Sequence, residues 1–267
     1  MEKYWHVLSI GLQNTLVYRV NFLFRATFGL VPLAAIIFVW RAIYEGKAGG
    51  QVGGYGLSQM VTYYLVITIV DALTAVNEDD WQIAADIKDG NISQFLLKPM
   101  DYLTYRLCLF GAGRFVFAAV ALVPTCGFIW LLRENFILPP DLATAGWFAV
   151  SLLLTALLQF LVSFTLALLA FWVLEVATFI FIAFAFEYLA GGHVFPLDIL
   201  PPAVAGVLDY TPFPYMHFFP VSIWLGRVTG DALWHGLLVQ LLWVLATYAL
   251  ARGVWNRGIK KYSAVGG

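Results

Sequence analysis

Four stretches of this 267-residue chain, roughly residues 26–44, 57–77, 107–132 and 232–251, are nearly uncharged, and each reaches the length of about 20 apolar residues that a helix needs to cross a bilayer. Backbone in hydrocarbon must satisfy its own hydrogen bonds, so such runs are helices. A further apolar stretch from 144 to 192 is interrupted by little except Gln159, Glu175 and Glu187. It is long enough for two more spans, about 144–171 and 176–192, with a tight turn near Trp172 to Glu175. The expected fold is an all-α membrane protein of six transmembrane helices, one domain over residues 1–267.

Composition excludes the main alternatives. Hydrophobic residues make up 61% and charged residues 12%, against about a quarter charged in a soluble domain. Disorder requires low hydrophobicity, and a coiled coil requires long charged heptads. A formal net charge of -1 leaves no basic excess for nucleic acid. The 10 Trp and 13 Tyr suit bilayer edges. Cys108 and Cys126 share one apolar run and would lie about 27 Å apart on a helix, too far to pair. About 25 mixed residues precede the first apolar run, unlike a secretory signal, so the N-terminus is read as retained.

Orientation follows the positive-inside rule. Lys3, Arg19, Arg25, Lys88, Lys98, Arg106, Arg252, Arg257, Lys260 and Lys261 fall on the side of both termini, against Arg41, Lys47, Arg133 and Arg227 opposite, with Arg114 inside a span. Both termini are therefore expected in the cytoplasm.

Three segments are not simple spans. The first 24 residues place Trp5, Leu8, Leu12 and Leu16 at helical spacing on one face, the pattern of an interfacial helix. From Asn77 to Arg106 the chain is unusually polar. Its pattern predicts a short helix from about Asp79 to Lys88, a turn at Asp89-Gly90, then Ile92, Phe95 and Leu96 at helical spacing before Pro99. This loop is a partner-docking surface or a solvated connector. From Gly191 to Arg227 six of the 11 prolines mix with large apolar residues. Prolines forbid a continuous helix, which leaves short helices that dip into the outer leaflet and return.

Catalytic signatures are missing. The glycine-rich stretch GGQVGGYG at 49–56 lacks the Lys and Ser/Thr of a nucleotide-binding loop. His6, His193, His217 and His235 show no paired ligand spacing, so neither a catalytic residue nor a metal site is expected. His193 and His217 could meet in the folded outer segment, where interfacial hydrogen bonding is favoured over metal binding. Charges inside apolar runs are costly, about 2.5–3.5 kcal/mol at a helix centre, and should face protein or water. Asp71 shares a helix face with Tyr64 and Thr68 and either pairs with Arg114 or contacts substrate. Glu187 attracts a cation or caps the outer helices. Ser151, Thr155, Gln159 and Ser163, four apart, form a small-polar packing stripe on the fourth span.

Taken in order, these parts resemble the permease subunit of a type-2 ABC exporter of the single-domain bacterial branch. The most specific match is DGNISQFLLKPMD at 89–101, where Gly90, Leu96, Leu97 and Pro99 fit the family pattern and Lys98 suits that branch. GGHVFPLDILP at 191–201, TPFPYMHFFPVSIWLG at 211–226 and RGIKKYSAVGG at 257–267 are similar to its outer segment and its ending. The resemblance implies a multi-pass protein of the bacterial inner membrane with an interfacial helix, a cytoplasmic coupling helix and outer re-entrant helices before the last span. It implies separate ABC ATPase subunits that bind ATP and Mg, a second permease, identical or related, and surrounding lipid, with no cofactor in this chain. Asp79, Asp80, Trp81, Ile83, Asp86, Gly90, Ile92, Phe95, Leu96, Leu97, Lys98 and Pro99 would engage the ATPase, and Tyr64, Thr68, Asp71, Phe184 and Glu187 would line the substrate path. Such a ring-lined path suits an amphipathic or lipid-like cargo, with Asp71 and Glu187 favouring cations. The rival reading is a secondary transporter driven by an ion gradient, with Asp71 or Glu187 titrating.

Overall fold

The structure, a computed structural model, describes residues 2–46, 50–76, 79–173 and 175–262. Within them the chain forms α1 (Glu2–Leu16), α2 (Arg19–Glu45), α3 (Leu57–Thr74), α4 (Asp79–Lys88), α5 (Asn91–Leu96), α6 (Tyr102–Leu131), α7 (Leu142–Ala167), α8 (Ala177–Ala190), α9 (Pro202–Leu208), α10 (Phe218–Trp224) and α11 (Gly230–Lys261). Apart from one antiparallel bridge between Val52 and Tyr55, the described residues pair no strands. Asn77 and Glu78 of the polar loop, Leu174 of the expected turn and residues 263–267 of the C-terminal ending lie outside the described residues.

Five helices are long and apolar enough to cross a membrane: α2, α3, α6, α7 with its 3-10 continuation to Phe171, and α11. The expected span over 176–192 is shorter. α8 has 14 residues, about 21 Å at 1.5 Å per residue, against a hydrocarbon core of about 30 Å. Apolar composition continues on either side of it, but the backbone does not stay helical. Before it, a 3-10 turn ends at Phe171. After it, Gly192 takes a positive φ of 93°, a conformation that stops a helix and that glycine adopts without steric cost.

Side chains mark the helix starts. Asp101 and Asp141 accept the backbone N–H of Thr104 and Thr144 (2.9 and 2.7 Å), capping α6 and α7. Gln59 reaches back to accept the Gly56 N–H at the start of α3. Of these five helices α3 is the most enclosed, with every residue from Met60 to Ile67 buried, whereas α2 buries only Leu33, Ile37 and Tyr44.

The last helix is seated through glycines. A Cβ built on Gly258 would lie 2.2 Å from Cδ2 of Phe171, and one on Gly236 would lie 2.1 Å from Cε2 of Phe219. Gly253, on the same helix, has nothing within 4 Å of that position. Gly258→Ala is therefore expected to destabilise the chain by about 1–3 kcal/mol through overpacking. Gly253→Ala should be neutral or stabilising by up to about 1 kcal/mol through helix propensity. Thermal unfolding in detergent checks the opposite signs.

Candidate functional site

The polar loop folds into a helical hairpin fastened to the bundle by one face. Gly90 makes the turn with a φ of +80°, and Ile83, Ile87, Ile92 and Phe95 are buried. The Phe95 ring lies 4.8 Å from that of Tyr102 and 5.0 Å from that of Tyr105. Arg106, also buried, forms an ion pair with Asp86. The Tyr102 hydroxyl accepts from Arg106 Nε (3.1 Å) and donates to Asp86 (2.8 Å), and Gln82 Oε1 accepts from Arg106 at 3.3 Å. Tyr262 donates to the Gly90 carbonyl, tying the end of the chain to the same turn. Next to the hairpin, burial raises the Asp101 carboxyl, but hydrogen bonds from Arg252 and Thr104 outweigh it and hold the group below the usual carboxylate range.

The other face of the hairpin has no cover. Trp81, Leu96, Lys98 and Pro99 are exposed, and Leu97 is 88% exposed. Of the twelve residues assigned to one docking patch, the side chain of Asp79 lies outside what is described, and the other eleven divide. Asp80, Ile83, Ile92 and Phe95 are turned inward as anchors, Asp86 is their strut, and Gly90 sets the turn.

A cavity of about 320 Å³ lies between α3, α7, α8 and the segment after α8. At one end Asp71 is clasped by two imidazoles, His193 Nε2 at 2.9 Å from Oδ2 and His217 Nε2 at 3.0 Å from Oδ1. From there the lining runs past the end of α3 through Ala75 and Val76 to Asp80 of α4, and along α7 from Gln159 through Ser163 to Leu166. Phe184, Glu187 and Tyr188 of α8 form the remaining wall. Only Ile180 and Ala190 of that helix are buried, so the wall is thin. The cavity therefore combines carboxylates, imidazoles and rings, a lining suited to a cation or to a molecule with a charged head and an apolar body.

The histidines reach Asp71 because the segment after α8 departs and returns at one point. The Phe218 N–H donates to the Gly191 carbonyl at 2.9 Å. Tyr63 and Tyr64 of α3 donate to the carbonyls of Gly192 (2.6 Å) and Val194 (2.5 Å), and Trp40 donates to Tyr64. Farther along, Asp198 accepts from Tyr55 (3.0 Å) and Arg227 (2.9 Å). Returning backbone is satisfied by side chains of the spans, as burial among apolar helices requires.

Three of the five expected path residues, Asp71, Phe184 and Glu187, line this cavity. Tyr64 is committed to the returning segment, and Thr68 bonds back to the Tyr64 carbonyl of its own helix. Asp71 does not pair with Arg114, because both of its oxygens are taken by histidines. The Arg114 guanidinium lies 4.9 Å from the Phe117 ring and lines a separate groove with Tyr18 and Arg25. The two histidines meet, as the sequence allowed, but spacing missed Asp71 as their partner, since His193 and His217 are 122 and 146 positions from it. The available signal was their placement at the two ends of the proline-rich segment. Of the small-polar stripe of α7, Ser151 and Thr155 pack as expected, bonded to Gln240 of α11, which also donates to the Tyr215 carbonyl, whereas Gln159 and Ser163 line the cavity.

A family model described as ABC-2 family transporter protein matches residues 30–266. No curated protein matches the chain. With all of α3 to α11 and about half of α2 inside that match, the chain belongs to the ABC-2 transporter family as an ABC-2 type permease.

Proposed function

We propose that this chain is the membrane subunit of an ATP-driven exporter in a bacterial inner membrane, both termini cytoplasmic, working with a second permease and separate ATPase subunits. The observation that carries the reading is the hairpin of α4 and α5, one face locked to α6 and the other leaving Trp81, Leu96 and Leu97 exposed among the described residues. Such a two-faced element suits a docked ATPase, whose closure on ATP would push through Asp86 and Arg106 into α6. α8 serves as the sixth, shorter span, and α1, with Trp5 70% exposed, lies along the membrane surface. The alternative drive, an ion gradient, predicts export that persists without nucleotide.

Cargo reaches the cavity from the α4 end or past α8. Its lining favours an amphipathic compound with a positively charged nitrogen, held by Glu187 over the rings of Phe184 and Tyr188. ATP then shifts the population between inward and outward states by the difference in their contact energy. The test is uptake of a fluorescent amphipathic amine by inverted vesicles carrying the complex. ATP-dependent uptake is expected, and Glu187→Gln should raise the half-saturating concentration about 10-fold, the equivalent of losing one charge-assisted hydrogen bond of about 1.5 kcal/mol. Uptake restricted to hydrophilic anions would overturn the cargo assignment, and uptake without ATP would overturn the drive.

A further inference from the structure

We propose that Asp71, His193 and His217 bind a divalent transition-metal ion of the zinc class at the end of the cavity. One ligand atom from each of the three residues lies within 4.8 Å of the other two. Zinc bonds to imidazole nitrogen and carboxylate oxygen of about 2.0–2.2 Å in tetrahedral geometry place neighbouring ligand atoms about 3.3 Å apart. His193 Nε2 stands 2.9 Å from Asp71 Oδ2 and His217 Nε2 stands 3.0 Å from Asp71 Oδ1, both closer than that spacing, so the side chains open slightly to admit the ion. This assigns a ligand set that spacing along the chain does not reveal.

As the side chains stand, His217 Nε2 does not satisfy both of its polar neighbours. His217 Nε2 has two polar neighbours, Asp71 Oδ1 at 3.0 Å and Gln159 Nε2 at 3.1 Å. One imidazole nitrogen carries either a proton or a lone pair, so it donates to Asp71 or accepts from Gln159 and does not do both. With the Gln159 amide turned over, its Oε1 lies beside His217 Nε2 and can serve as a fourth donor. The Nδ1 atoms of both histidines are buried without a hydrogen bond. Nothing at Nδ1 therefore holds either ring in the tautomer that keeps Nε2 protonated. Two imidazoles, one carboxylate and one amide oxygen suit zinc, and cobalt(II) serves as its spectroscopic stand-in.

Such an ion would fasten both ends of the segment after α8 to α3, since His193 follows its beginning and His217 precedes its end. The experiment uses the full chain in detergent, its affinity tag removed and adventitious metal stripped by chelator. Cobalt(II) is expected to bind once per chain with visible d–d absorption that zinc abolishes, and zinc should raise the unfolding temperature. His193→Gln and His217→Gln should each weaken zinc binding by more than about 100-fold, beyond the 10–100-fold typical of disturbing an outer-shell partner. Both variants keep a hydrogen-bonding side chain at the position, so loss of metal with retained folding supports the site. Zinc binding unchanged in both variants, or no metal bound by the wild-type chain, overturns it. The measurement needs no ATPase and no cargo, so its result is independent of the transport reading.

Discussion

Replacing Asp86 by alanine is expected to destabilise the chain by about 3 kcal/mol, measured as a lowered unfolding midpoint in detergent. Removing one partner of a buried ion pair costs about 3–5 kcal/mol, because the remaining charge stays in a poor solvent. Arg106 is that charge: its side chain is 6% exposed, whereas Asp86 is 29% exposed, which places the effect at the lower end. Tyr102 and Gln82 remain as hydrogen-bond partners but supply no compensating charge. The pair Asp86→Leu with Arg106→Met should recover most of the loss, since replacing both members by apolar groups is near neutral. An unchanged midpoint in Asp86→Ala would mean that this pair does not hold the hairpin to the bundle.

Leu97→Asp should do the reverse, leaving the fold intact and removing the partner. With its side chain outside the bundle, the change is expected to alter stability by less than about 0.5 kcal/mol. An apolar anchor at the centre of an interface is worth about 2 kcal/mol or more, so affinity for the ATPase should fall at least about 30-fold, and ATP-driven transport with it. Titrating purified ATPase against the detergent-solubilised chain reads the first effect, and vesicle transport the second. Full affinity in Leu97→Asp and in Leu96→Asp would place the ATPase contact elsewhere. Phe95 is unsuitable for this purpose: its ring is seated against Tyr102 and Tyr105, and a charge there would dislodge the hairpin itself.

The long helices and the hairpin were legible because their causes are local. Hydrocarbon demands length and apolarity, Gly90 marks a left-handed turn, and Asp101 announces a helix start by its side chain. The length of α8 was not legible, since hydropathy reports how dry a segment is and stays high from Phe179 through Leu189 whatever the backbone does beside it. The inward turn of Ile92 and Phe95 was legible only as a helical face, because nothing local tells whether that face meets the bundle or a partner. The Asp71 cluster depends on where the segment after α8 returns, which is set by carbonyls accepting from Tyr63 and Tyr64. Backbone acceptors carry no sequence signature, so the choice between Arg114 and the histidines could not be made from the letters.

The neck at which Phe218 bonds Gly191 has an evolutionary consequence. A loop that closes on itself sets the positions of α8 and α10 at its base, so length added farther out does not propagate into the spans. α9, between Pro202 and Leu208, buries no residue, and doubling the length of a flexible loop costs only about 0.6 kcal/mol. Relatives should therefore differ by insertions and deletions around α9 while the spacing between each histidine and its end of the neck stays fixed.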